Sequence, residues 1–185
     1  MGGFKTALKW IAIAIGGLMA LLFAAAVFFG LAIELGMFPE THVQTGEELP
    51  KKQHEALIDA KILERQETVK YYYSQGFIDV TNSGSILTDR RIIGYWTEEK
   101  EDGVQVYAYP IETLDRLVMN AEGSEWEDSE YAVAQRGNNE NSLLLFLSIE
   151  EDRHLEMVEA LGNIIEKNNA AFEKTKADAE SAAVD

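Results

Sequence analysis

Histidines and carboxylates are the side chains with which this chain could do chemistry. Its 185 residues include three histidines, His42, His54 and His154, and 32 acidic residues, but no cysteine. His54-Glu55 begins the zinc-protease pattern His-Glu-x-x-His, yet Ile58 occupies the position of the second histidine. The chain also lacks the nucleophile pattern Gly-x-Ser-x-Gly and a phosphate-binding loop. We therefore predict that the protein is not an enzyme and carries no cofactor.

A second candidate for chemistry is an acidic loop between residues 121 and 130. Clustered carboxylates are ligands for hard cations such as calcium. The loop lacks the Asp-x-Asp-x-Asp-Gly spacing of calcium loops, and a charge-rich loop is usually only solvated. A calcium-binding domain is therefore an alternative to the main interpretation, and its candidate ligands are Glu122, Glu125, Glu127, Asp128 and Glu130.

The charge balance excludes some partners. Acidic residues outnumber lysine and arginine by 32 to 16, which gives a net charge of -16. A nucleic-acid binder needs lysine and arginine to displace phosphate counterions, so we exclude nucleic acid as a partner. The same balance argues against a broad electrostatic attachment to anionic lipids.

The segment from Trp10 to Ile33 contains 24 residues without a charge. A helix of that length spans about 36 Å, which is enough for a hydrocarbon core of about 30 Å. A cleaved signal peptide is the alternative, but its apolar region is usually only about 7 to 15 residues long. The match of Met1-Gly2 to a myristoylation pattern is treated as chance. We therefore predict a single transmembrane helix over residues 10–33, after a basic flank at residues 1–9.

Lysines near this segment predict an orientation. Lys5 and Lys9 precede it, and Lys51 and Lys52 follow at a greater distance. The count weakly favours a cytoplasmic N-terminus in a bacterial inner membrane, with the main domain outside the cytoplasm. Small residues four apart, Gly16, Ala20 and Ala24, would allow two such helices to approach closely.

The rest of the chain predicts one α+β domain. We expect a linker at residues 34–50 and a domain at residues 51–168 that begins with a helix. A frayed or disordered tail should follow at residues 169–185. Alternating apolar residues from Glu67 onward predict six or seven short antiparallel strands. The apolar positions between Leu155 and Ile165 then predict one amphipathic helix, with Ser148 as a helix cap before it.

One turn in this domain carries a motif. The residues Leu87-Thr88-Asp89-Arg90-Arg91 follow Gly84 and precede an apolar strand that ends in Tyr95. Asp89 can accept backbone hydrogens across a tight turn, and Arg91 can lie over the sheet or pair with an acidic neighbour. The pattern resembles the Gly-x-x-Leu-Thr-Asp-x-Arg segment of bacterial pleckstrin-homology-like domains over about residues 67–168. Its family-motif positions are Gly84, Leu87, Thr88, Asp89 and Arg91.

The resemblance implies a curled antiparallel sheet with a C-terminal capping helix, and a binding scaffold rather than a catalyst. Relatives that bind phosphoinositides present several cations near the first hairpin, where this chain has only Lys70. A lipid-headgroup binder and an enzyme are therefore the least favoured alternatives.

The main interpretation is a membrane-tethered, non-catalytic interaction module, which would act as an adaptor or accessory subunit of a membrane complex. Its partner would be another membrane protein or a second copy of the chain. Aromatic residues are over-represented at interface cores. The candidate contact residues are therefore Tyr71, Tyr72, Tyr73, Phe77, Tyr95 and Trp96.

Overall fold

The structure is a computed structural model that describes residues 2–34, 39–76, 79–98, 103–124 and 126–182. The side chains of residues 2–9, 11–14, 29, 32–34 and 138–141 are not among those described. The chain forms two compact units, Met1–Phe38 and Pro39–Asp185. We call the latter the second unit.

The first unit contains helix α1, Gly2–Glu34. In the described part of the chain, no helix is both long enough and apolar enough to cross a membrane. This finding overturns the predicted transmembrane helix over residues 10–33. It also overturns the predicted inner-membrane location and the prediction that the membrane is a partner.

The second unit contains two antiparallel sheets and a long C-terminal helix. The five-stranded sheet has the order β1 (Gln44–Thr45), β2 (Val69–Ser74), β3 (Ser83–Thr88), β4 (Arg91–Thr97) and β5 (Val104–Pro110). A 3-10 turn, Ile111–Thr113, leads to the three-stranded sheet of β6 (Leu114–Ala121), β7 (Ser129–Gln135) and β8 (Asn138–Leu147). Helix α2 is Lys51–Asp59, and helix α3 is His154–Ala182 after a second 3-10 turn, Glu150–Asp152.

The α+β class, the antiparallel strands and the closing helix agree with the sequence prediction. The strand count does not, because eight strands are described and they form two sheets rather than one curled sheet. Ser85 joins the two sheets: its hydroxyl donates to the carbonyl of Phe146 at 3.2 Å and accepts from the amide of Phe146 at 3.3 Å.

The central strands of the five-stranded sheet are buried on both faces. Consecutive residues enter different clusters: Leu87 and Ile92 face the three-stranded sheet and α3, whereas Ile86 and Ile93 pack with Leu57 of α2. The second cluster exists because α2 and the segment after it cover the sheet's other face. Side chains on both faces of β2, β3 and β4 are therefore removed from water.

The limits of the second unit differ from the predicted ones. Residues 39–50 belong to it, since Gln44 and Thr45 pair with β2 and Val43 is buried. Helix α2 ends at Asp59, before Lys61 adopts a left-handed backbone with φ 62°. Helix α3 continues to Ala182 although its residues from 170 onward are exposed. The residues after 169 are mostly strong helix formers, with neither glycine nor proline.

Candidate functional site

The turn between β3 and β4 is held by the hydroxyl of Thr88. Its Oγ1 accepts hydrogen bonds from the amides of Arg90 at 3.1 Å and Arg91 at 3.0 Å, and donates to the Arg91 carbonyl at 3.1 Å. A threonine at the start of a tight turn can satisfy backbone groups in this way. The motif's threonine therefore has a structural role.

Asp89 and Arg91 tie this turn to the segment before β2. Asp89 Oδ1 accepts from the Thr68 amide at 2.8 Å, and the Asp89 amide donates to the Thr68 carbonyl at 2.9 Å. Arg91 donates from Nε and Nη2 to the two carboxylate oxygens of Glu67 at 2.6 and 2.9 Å. The Glu64 amide donates to the same carboxylate at 2.9 Å. Arg91 thus pairs with an acidic neighbour, as its residue type suggests, whereas Asp89 accepts its backbone hydrogen from the segment before β2 rather than across the tight turn.

The Glu67–Arg91 pair is largely removed from water. The Glu67 side chain is 1% exposed and that of Arg91 is 23% exposed. Burial acts to raise the pKa of Glu67, but the hydrogen bonds from Arg91 and from the Glu64 amide outweigh it and hold the pKa below 4.5. The hydrogen bond to Glu67 raises the pKa of Arg91. The pair is therefore ionised at neutral pH and stabilises the turn electrostatically.

This pair lines a cleft of about 590 Å³ between the β3–β4 turn, the Ile111–Thr113 turn and α3. Asn168 of α3 donates to the carbonyls of Ile111 at 2.6 Å and Leu114 at 3.2 Å, so the helix is fixed against the other two walls. The cleft is lined by Glu64, Glu67, Asp89, Arg90, Arg91, Pro110, Ile111, Glu112, Ile164, Lys167 and Asn168.

Most ionisable groups of the cleft are engaged, but three are not. The side chains of Arg90, Lys167 and Glu112 have no hydrogen-bond or ion-pair partner within the described ranges. Two cations and one carboxylate at the cleft are therefore without a side-chain partner in the described part of the chain, and the carboxylate of Asp89 is bonded only to the Thr68 amide. Pro110, Ile111 and Ile164 supply apolar surface beside them. Sequence reasoning missed Arg90 and Lys167, since neither stands at a family-motif position and the two are 77 residues apart in the printed sequence.

Two other motif positions lie away from the cleft. Gly84 of β3 is packed against the backbone carbonyl of Tyr73 and the hydroxyl of Tyr95, and a Cβ there would meet that hydroxyl at 2.5 Å. Leu87 is buried in the core. Both residues therefore serve packing.

The predicted contact aromatics are distributed between core and surface. Tyr72, Tyr73 and Tyr95 are buried, Tyr71 and Trp96 are half-buried, and Phe77 lies outside the described residues. Burial raises the pKa of Tyr72 to about 12 and also raises those of Tyr73 and Tyr95. Tyr95 donates to the Val80 carbonyl at 2.6 Å, and Tyr73 donates to Asp128 at 2.9 Å. Of the described contact candidates, Tyr71 and Trp96 are the two that remain partly accessible, and their contact role stays a prediction.

Two carboxylates of the acidic loop accept hydrogen bonds from other side chains of the second unit. Asp128 accepts from Tyr73 and from Gln75 Nε2, and Glu130 accepts from Asn120 at 2.8 Å. Glu122 and Glu127 are exposed, and Glu125 lies outside the described residues. Among the described residues, no group of three histidine, cysteine or acidic side chains could hold a metal ion. Sequence reasoning missed Trp126 of this loop, which is 87% exposed.

The histidines are separated in the second unit. His154 is buried at the start of α3, where burial lowers its pKa, and its Nδ1 has no partner in the described part of the chain. His42 Nε2 lies 3.4 Å from Arg153 Nη1, and His54 is on α2. None of the three lines the cleft.

No family model matches the chain, and no curated protein matches it either. The solved structures that are similar to it include the following two. One is a DUF1696 family protein with a pleckstrin-homology domain from Shewanella loihica PV-4, with 14% identity, a TM-score of 0.45, and 68% of this chain and 99% of that chain covered. The other is a pleckstrin homology domain from Shewanella amazonensis SB2B, with 16% identity, a TM-score of 0.43, and 62% and 96% coverage. Both are bacterial proteins with pleckstrin-homology domains.

Proposed function

We propose that the second unit is a non-catalytic interaction module, an adaptor or accessory subunit that holds a carboxylate of a partner protein in the cleft. The observation that carries this proposal is the pair of unpartnered cations, Arg90 and Lys167, beside apolar surface at a cleft of about 590 Å³. A charge-assisted hydrogen bond to a carboxylate is stronger than one between neutral groups. The apolar wall would cover the neighbouring part of the partner.

The chemistry of the cleft favours binding over catalysis. A general acid or base works best with a pKa near the operating pH. Glu67 is the most buried carboxylate of the cleft, and its pKa is shifted downward, away from that range. Its oxygens accept hydrogen bonds from Arg91 and the Glu64 amide, so this carboxylate has a structural role.

The acidity of the second unit does not prevent binding of a carboxylate. From residue 39 onward, 14 basic residues stand against 31 acidic ones, a net charge of 14 − 31 = -17. Charges separated by more than about 8 Å are largely screened at physiological ionic strength. The charged side chains that line the cleft therefore act on it more strongly than the distant acidic residues do.

Photocrosslinking in cells tests the proposal. A photoreactive amino acid replaces Glu112 in the full chain, and a second version carries it at Glu180, which is exposed on α3. We expect a discrete partner adduct from position 112 that is absent from position 180. The double variant Arg90→Glu, Lys167→Glu should reduce that adduct at least tenfold.

A charge-matched control separates the site from the overall charge. Arg65→Glu with Lys174→Glu makes the same change in net charge at two exposed residues without described partners, and it should leave the adduct unchanged. Thermal melting of each variant checks that the fold is retained. An adduct that survives the Arg90 and Lys167 reversal, or the absence of any adduct at position 112, contradicts the proposal.

A further inference from the structure

Strand β6 is an open edge of the three-stranded sheet. The order β6-β7-β8 gives it one strand neighbour, and its residues pair with β7, for example Leu117 with Val133 and Met119 with Tyr131. Two consecutive apolar side chains, Val118 and Met119, are 44% and 52% exposed. Consecutive side chains point to opposite faces of a strand, so β6 is accessible from both faces at this point.

The start of this edge is covered and the rest is not. Asn168 and Asn169 of α3 donate to the carbonyls of Leu114 and Asp115 at 3.2 and 3.1 Å. Along residues 116–121, the described structure contains no backbone hydrogen bond other than those to β7. We call residues 116–121 the open edge. A strand paired on one side directs half of its N–H and C=O groups outward, where another strand can bind them.

The usual protections of an edge strand are sparse here. Natural edges carry charged residues, lysine above all, or proline or bulges that prevent pairing with a second strand. Residues 116–121 read Arg-Leu-Val-Met-Asn-Ala, with Arg116 at the end as the one charge and with no proline. The register with β7 shifts only at the two ends, between Leu114 and Arg116 and between Met119 and Ala121. The positions between Arg116 and Met119 stay in regular register.

Charge selects the occupant. Glu122 follows the open edge directly, and Glu130 is the register partner of Ala121. Arg116 is the one cation within the open edge, and Asp115 precedes it. The local balance of one basic against three acidic residues disfavours the same edge of a second copy and attracts a basic segment. We propose that the open edge binds an extended basic peptide segment of a partner protein by antiparallel or parallel strand addition, at a site separate from the cleft.

The first test is an NMR titration of the full-length, 15N-labelled chain. The probe is the acetylated and amidated hexapeptide Lys-Val-Lys-Val-Lys-Val, and its comparison is Glu-Val-Glu-Val-Glu-Val. We expect saturable shifts of the amides of residues 116–121 with the lysine peptide, at least tenfold weaker binding of the glutamate peptide, and weaker binding at higher salt. The absence of saturable shifts there up to millimolar lysine peptide would overturn the proposal, as would equal binding of both peptides.

The second test uses a variant of the edge. Val118→Lys adds the residue that natural edges use to prevent pairing, and it should weaken binding of the lysine peptide at least tenfold. Leu155→Lys is the matched control, because Leu155 is 53% exposed on α3. This variant should bind the lysine peptide as the unmodified chain does. Equal affinity of Val118→Lys and the unmodified chain contradicts the proposal.

Dimerisation through residues 116–121 in sedimentation of the peptide-free chain would instead assign the edge to a second copy. Arg90→Glu with Lys167→Glu should leave this binding intact, which separates the test from that of the cleft.

Discussion

Replacing Arg91 with methionine should destabilise the protein by about 3 kcal/mol at pH 7. The change retains most of the aliphatic stem but removes both hydrogen bonds to Glu67. The Glu67 carboxylate, 1% exposed, would then keep only the hydrogen bond from the Glu64 amide. Removing one partner of a buried pair costs about 3–5 kcal/mol. We expect the lower end because Arg91 is 23% exposed, so water can enter the space that it leaves.

The penalty should depend on pH in a defined direction. In the unmodified protein the pKa of Glu67 lies below its ordinary 4.5, so the stabilisation from the pair is fully present above that value and is lost as the pH falls through the folded-state pKa. In Arg91→Met the buried carboxylate lacks a cation, and burial alone raises its pKa. Protonation then relieves the penalty. Urea denaturation at pH 7 and at pH 5 should therefore give a smaller difference between the two proteins at pH 5.

Two further variants isolate the cause. Glu67→Gln combined with Arg91→Met should be less destabilised than Arg91→Met alone, because no uncompensated charge remains buried. Arg90→Met is the matched control: the Arg90 side chain is exposed and has no partner in the described ranges, so its loss should change the free energy of unfolding by less than about 0.5 kcal/mol. A penalty below about 1 kcal/mol for Arg91→Met, unchanged between pH 7 and pH 5, would refute the reasoning.

Two more predictions concern packing and an ion pair. Gly84→Ala should lower the free energy of unfolding by about 1–3 kcal/mol, because the added Cβ would meet the Tyr95 hydroxyl at 2.5 Å. The Cβ added by Gly162→Ala on α3 meets nothing within 4 Å, so this change should raise the free energy of unfolding by about 0.5–1 kcal/mol. Urea midpoints that rank the two variants the other way would contradict this prediction. The hydrogen bond from Arg153 holds the pKa of Glu48 at about 2, so the contribution of this pair is present above about pH 4.5 and is lost as the pH falls towards 2. Because Glu48 is 45% exposed, Glu48→Gln should cost less than about 1 kcal/mol at pH 7 and less still in 1 M salt, and a loss that salt leaves unchanged would contradict the assignment.

Local sequence patterns predicted the elements of the second unit better than their arrangement. Alternating apolar residues predict strands, and this pattern located β2, β3, β4 and β5. The pattern could not reveal that α2 covers the second face of the five-stranded sheet, because that contact depends on residues more than 20 positions apart, such as Leu57 and Ile86. Strand β1 is only two residues long, and its pairing with β2 has no signal of its own in the sequence.

The surfaces for binding were harder to predict because burial depends on the tertiary arrangement. Tyr71, Tyr72 and Tyr73 are consecutive and chemically similar, yet Tyr72 and Tyr73 are buried on opposite faces of β2 and only Tyr71 is half-buried. Val118 and Met119 read as an ordinary strand interior in the sequence. They are exposed because β6 lies at the edge of its sheet, which only the sheet order reveals.

The motif at the β3–β4 turn illustrates why a resemblance predicts a fold more readily than a ligand. Thr88, Asp89 and Arg91 stand at its specified positions, and each is bonded within the second unit: to the turn itself, to Thr68 and to Glu67. Arg90 stands at the position that the motif leaves open, and its side chain faces the cleft without a described partner. The specified residues hold the turn against the segment before β2, and that rigid turn places Arg90 in one wall of a cleft whose other wall contributes Lys167. Binding chemistry in this proposal therefore depends on residues that the motif does not specify, positioned by those that it does.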